Sequence, residues 1–266
     1  MFNLANILTA GNLLSGVVSI LLALLGRIDL APFAIIIGAF FDFLDGFVAR
    51  KMKTAGEMGK QLDSLADMVT FGVAPGIIMM VIMTIDVNEF VLNPYFEVIR
   101  FDFMFYLESI LNGATNDFSP FIALAIPFFS IFRLAKFNID TRQSESFIGL
   151  PTPASTLFFM TFPLVLAFPD YTPSLIMPYM DFVFHPVSLS IIIVLISLMM
   201  VVELPLFSLK FKTFDLQSNK IRYIFLLISI GLILLFKSLS ISLIVFLYLI
   251  LSYIQNKVIK KEKNEI

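Results

Sequence analysis

Two pairs of aspartates carry most of the chemistry available to this chain. Asp42 and Asp45 stand three apart in FFDFLDGFVAR, and Asp63 and Asp67 stand four apart in GKQLDSLADMVTFG. Both spacings put a pair on one face of a helix. Asp42 precedes Arg50 by eight residues and Asp67 follows Gly59 by eight, so each lies about 12 Å along its helix from those ends. Asp45 and Asp63 come out shallower, at roughly 6–8 Å. Two antiparallel helices would therefore bring four carboxylates to one level. The flanking runs are apolar, and a buried Asp costs about 2.5–3.5 kcal/mol at the centre of a membrane helix. Four would cost up to roughly 10 kcal/mol and would repel one another. Hard divalent cations held by carboxylate oxygens remove both penalties. Two such ions a few ångströms apart can clamp a phosphoryl transfer. The chain has no cysteine and one histidine, His185. This excludes disulfides, thiolate sites and multi-histidine sites, and magnesium or manganese suits the ligand set better than zinc. The plainer alternative is four acids facing a polar cavity or pairing with Arg50, Lys53 and Lys60.

The elements that must position these residues are membrane helices. Of 266 residues, 59% are hydrophobic and 14% charged, against about 45–50% and about 25% in soluble chains. A net charge of −2 provides no basic field for nucleic acid. A bilayer core of about 30 Å needs roughly 20 mostly apolar residues. Eight stretches qualify, near 4–25, 31–50, 59–83, 119–137, 151–168, 187–203, 221–237 and 239–255. Backbone polar groups must be satisfied within lipid, so these are expected to be helices. The fold class is all-α: a polytopic transmembrane bundle of about eight spans, read as one domain over 1–266. The N-terminus lacks the basic region of a cleaved signal and reads as a retained first span. All but Arg27, Arg100 and Lys237 of the 18 basic residues fall at the second, fourth and sixth loops or in the tail. This bias places both termini and the acidic pairs on the cytoplasmic side, in the cell (inner) membrane. Segment 84–118 alternates apolar and charged residues and reads as an interfacial stretch on the outer face. His185 is placed in an outer loop, and the basic tail reads as a solvated end.

The full string is Asp42-x2-Asp45-Gly46-x2-Ala49-Arg50-x8-Gly59-x3-Asp63-x3-Asp67. It resembles, at every fixed position, the signature of the CDP-alcohol phosphatidyltransferases. The residue types have readable reasons. Gly46 and Ala49 lack bulk, so a nucleotide can lie close to the backbone. Arg50 offers a forked donor to a phosphate at the membrane surface. The resemblance implies a six-helix core with two further C-terminal spans. It also implies two metal ions on the four acids, Asp67 as the base for the acceptor alcohol, and Gly46 and Arg50 as contacts to the CDP part. Asn6 and Thr9, near the cytoplasmic end of the first span, either line the nucleotide pocket or serve helix packing.

Two more segments bear on the acceptor. RLAKFNIDTRQSESFIGLPTPAS, from Arg133 to Ser155, resembles a segment of the membrane-spanning phosphatidylserine synthases, with Lys136 in place of their usual second Arg. The opening NILTAGNLLSG resembles the N-terminus of the same group. The resemblance covers residues 1–160 and implies transfer of a phosphatidyl group from CDP-diacylglycerol to L-serine. Arg133 and Lys136 can meet the serine carboxylate, and Asn138 can orient the polar head. Equally, the basic pair can be a positive-inside cap, with Pro151 and Pro153 only opening a helix. The expected partners are CDP-diacylglycerol, L-serine and the lipid bilayer, with a homodimer left open. The rival readings are the same chemistry on glycerol-3-phosphate or inositol phosphate, a cation-coupled transporter, and an inactive scaffold. A transporter would call for inverted repeats, whereas the acids sit in one hairpin only.

Overall fold

The structure is a computed structural model describing residues 3–54, 56–86, 96–140, 147–173, 177–207, 215 and 219–264. Arg142, Lys210 and Lys212, used above for orientation, lie outside the described residues.

The chain folds as a helical membrane bundle. Helix α1 spans Leu4–Leu24 and α2 spans Ala31–Lys51. The third span is continuous but changes pitch. It runs as α3 (Glu57–Asp67), a π-helical segment (Met68–Val73) and α4 (Ala74–Ile82). Helix α5 covers Phe96–Leu111. A 3-10 stretch, Ser119–Leu124, then leads into α6 (Ala125–Ile139). Helix α7 (Thr152–Ala167) is followed by the short α8 (Met180–Phe184) and by α9 (Pro186–Val201). Helices α10 (Lys220–Phe236) and α11 (Ser240–Asn264) end the described chain.

Among the described residues, five helical stretches are long and apolar enough to cross a membrane: 4–24, 31–51, 57–82, 119–139 and 220–257. The last is broken where Lys237 takes φ +48°, and this separates α10 from α11. Helices α7 and α9 are apolar but shorter. The eight expected spans thus all appear as helices, with α7 and α9 the shortest. The segment expected to lie on the outer face contains α5. Its Ile99 and Phe103, one turn apart, are buried in the main core, while Phe101, Met104 and Phe105 are exposed.

Local chemistry sets the ends. The Asn3 side chain caps α1 by accepting from the Asn6 amide at 2.8 Å, supplying one partner for the unpaired first turn. Gly26, at φ +77°, closes α1 in the left-handed region that glycine enters without strain. Arg27 and Asp29 pair across the turn to α2 at 2.8 Å, and this hydrogen bond and charge raise the exposed Arg27 guanidinium above its ordinary pKa. Pro75 has no N–H to offer the Phe71 carbonyl four residues earlier. That carbonyl accepts instead from the Thr156 hydroxyl of α7 at 2.7 Å.

Small residues let the first three spans approach closely. A Cβ on Gly16 would stand 2.5 Å from Thr70 Oγ1, and one on Gly38 would stand 2.7 Å from Thr70 Cγ2. Close backbone approach of this kind is how membrane helices associate without a hydrophobic drive. Near the α6–α7 connection, Phe147–Ile148 pairs antiparallel with Pro205–Leu206. Gly149, at φ +80°, lies there so close to the Met200 carbonyl that a Cβ would be 2.5 Å from it.

Candidate active site

The carboxylates converge from two helices. Ligand oxygens of Asp42 on α2 and of Asp63 and Asp67 on α3 all lie within 4.8 Å of one another. Asp67 is the most buried of the three. Asp45 is also buried, and its carboxylate accepts from the Thr9 hydroxyl of α1. An all-oxygen group this tight could hold a hard divalent ion.

Helix α1 supplies the groups that hold the acids in place. Thr9 and Asn12 are three residues apart and so share a face. The Asn12 amide donates to Asp67 Oδ1 at 3.0 Å. Asn12 is fully buried, and its backbone carbonyl accepts from the Thr70 hydroxyl at 2.9 Å. The π segment is thereby tied to the same turn of α1 that orients Asp67. Asn12 was not singled out from the sequence as a site residue. Its signal there was its position one turn beyond Thr9.

A cavity of about 530 Å³ opens beside the cluster. Its walls include Asn6 and Thr9 from α1, and Asp42, Asp45, Gly46, Ala49 and Arg50 from α2. Gly59, Lys60 and Asp63 line it from the third span, and Phe137 from α6. A Cβ on Gly46 would lie 3.2 Å from an Arg50 guanidinium nitrogen, so the guanidinium rests against the bare glycine. Arg50 and Lys60 are the cations in this lining.

The three residues expected at the serine carboxylate and head are placed differently, and none of them lines the cavity. Arg133 is buried, with its Nε–H 3.4 Å from the Leu150 carbonyl and its guanidinium 5.3 Å over the Phe137 ring. Lys136 pairs with Glu203 at 3.0 Å. The Asn138 amide donates to Ser64 Oγ at 2.7 Å.

Comparison with known proteins fits this arrangement. A profile of the CDP-alcohol phosphatidyltransferase family matches residues 2–202, and the chain belongs to that family. It is 33% identical over 146 residues to the CDP-diacylglycerol–serine O-phosphatidyltransferase of Bacillus subtilis (strain 168), covering 55% of this chain and 67% of that one. It is 31% identical over 176 residues to the archaetidylserine synthase of Methanothermobacter thermautotrophicus, covering 65% of this chain and 63% of that one. The serine O-phosphatidyltransferase of Helicobacter pylori (strain J99) is 32% identical over 154 residues, covering 57% and 53%. The match thus spans from about half to two thirds of the length of these relatives.

Proposed function

We propose that the chain is an enzyme that transfers the phosphatidyl group of CDP-diacylglycerol to L-serine, giving phosphatidylserine and CMP. The observation that carries this reading is the convergence of Asp42, Asp63 and Asp67 within 4.8 Å, beside a cavity that two cations line. The relatives' names supply the acceptor.

Asp42, Asp63 and Asp67, with Asp45 beside them, would hold magnesium or manganese, two ions being what the family resemblance implies. Bound there, such ions neutralise charge on the pyrophosphate and on the leaving phosphate. The chain's own residues do the rest. Thr9 and Asn12 fix the Asp45 and Asp67 carboxylates. Gly46 and Ala49 let the nucleotide approach the backbone, Asn6 lines the same wall, and Arg50 donates to phosphate. Asp67 takes the proton of the serine hydroxyl. The serine oxygen then attacks the β-phosphorus, the bond to the bridging oxygen breaks, and CMP leaves with that electron pair. Direct displacement suits a cavity lined by no Cys or His. The acyl chains remain in lipid. The excess of Arg and Lys around the second loop supports a site facing the cytoplasm of a cell membrane, with the whole chain acting as one domain.

The test is CMP release by purified protein given CDP-diacylglycerol, magnesium or manganese, and one acceptor at a time. Serine should outpace glycerol-3-phosphate and inositol phosphate at equal concentration. If glycerol-3-phosphate is faster, the serine assignment fails while the family assignment stands.

A further inference from the structure

We infer that Lys60 is the contact for the acceptor's carboxylate, a specificity-determining residue that lines the cavity from α3 while Arg50 lines it from α2. The inference rests on the serine reading above. CDP-diacylglycerol is anionic, serine is a zwitterion that carries a carboxylate, and three of the residues lining the cavity are acids. A carboxylate entering beside them is repelled unless a cation offsets the charge. Arg50 comes from the last turn of α2, and its guanidinium rests on Gly46, the residue that the proposed function gives to the nucleotide. Lys60 comes from the first turn of α3, three residues ahead of Asp63, and so shares its helix face.

Lys60 is also aimed. Its ammonium donates to the Asn138 carbonyl at the end of α6. The Asn138 amide returns to Ser64 Oγ, and the Ser64 hydroxyl bonds the Lys60 carbonyl at 3.2 Å. This closed ring ties α3 to α6 and holds the lysine beside Phe137. An ammonium carries three N–H donors, so a bond to one carbonyl leaves capacity for a bound anion. Among the described residues, the ion pairs are Arg27–Asp29 and Lys136–Glu203, and Lys60 is in neither. The basic residues of α6 are committed elsewhere, Arg133 to the Leu150 carbonyl and Lys136 to Glu203.

The test pairs Lys60→Met and Lys60→Arg with two acceptors, L-serine and L-serinamide, which lacks the carboxylate. Losing a charge-assisted contact should raise the KM for serine about tenfold or more. The KM for CDP-diacylglycerol and the kcat should hold, and Lys60→Arg should recover most of the loss. Serinamide, a poor acceptor for the parent, should be indifferent to the substitution. Asn138→Ala, which releases the ammonium without removing it, should raise the serine KM less. Equal losses for serine and serinamide would make Lys60 structural, and a rise only in the KM for CDP-diacylglycerol would make it a donor contact. Either result overturns the inference. A parent enzyme that prefers serine but is indifferent to Lys60→Met removes Lys60 alone. A parent that prefers glycerol-3-phosphate removes the serine reading and the inference with it.

Discussion

Asn12 and Asp67 show how one polar side chain inside a membrane helix makes another usable. A carboxylate at this depth needs donors, and Asn12 supplies one at 3.0 Å from a position that is itself fully buried. The charge on the acids is the property that an ion would require. Asp63→Asn and Asp67→Asn preserve shape and remove charge. Each should lower turnover at least about 100-fold, with membrane insertion unchanged by protease protection. Chelation should abolish turnover of the parent, and added magnesium or manganese should restore it. Turnover that survives EDTA would sink the metal assignment. The grouping of Asp42, Asp63 and Asp67 was legible in the sequence because spacing puts them on facing helix stretches and lipid makes each of them costly, whereas Asp45, expected at the same level, is not one of that tight group and bonds Thr9. Asn12 was not, since an Asn in a span is as readily explained by helix packing. Arg133 and Lys136 were read as ligands because a basic residue at a helix end looks the same in sequence whether it meets substrate, a carbonyl or a glutamate.

Helices α1, α2 and the π segment meet where side chains are smallest. A Cβ on Gly38 would stand 2.7 Å from Thr70 Cγ2 and 3.0 Å from Asn12 Oδ1, so a larger residue there must push apart the elements that hold Asp67. Gly38→Val should destabilise the bundle by about 1–3 kcal/mol and lower turnover, read as a reduced melting midpoint in detergent and slower CMP release. Gly231 on α10 meets nothing within 4 Å, and Gly231→Ala should leave both unchanged. Element positions were legible from hydrophobic run length, which is why α1 and α2 end within a residue or so of expectation. The π segment is marked in the sequence only just beyond it, by Pro75, which has no N–H for the Phe71 carbonyl four residues earlier. Tertiary bonds accompany it, with Thr156 on Phe71 O and Thr70 on Asn12 O. The small pairing of Phe147–Ile148 with Pro205–Leu206 is hidden, since its partners are more than fifty residues apart.

Across the whole molecule, the third span separates Lys53, in the α2–α3 turn, from Asn116, beyond α5. With no native cysteine, single cysteines at these two positions report sidedness against no background. Lys53→Cys should react with an impermeant thiol reagent only from the cytoplasmic side, and Asn116→Cys only from outside. Labelling of both from one side would refute the proposed topology. The third span is also the most enclosed of the long apolar helices. Of its apolar window, 72% is buried inside the protein, against 17% for the 220–257 stretch. That enclosure has a consequence for how the protein is made. The leading half of this span carries Lys60, Asp63 and Asp67, and charged groups entering lipid cost free energy that the apolar second half offsets. Thr9 and Asn12 of α1, with the face of α2, give the acids partners and cover once the helices pack. Synthesis delivers those two helices first, so the order of the chain is also the order in which the site's own shelter is built.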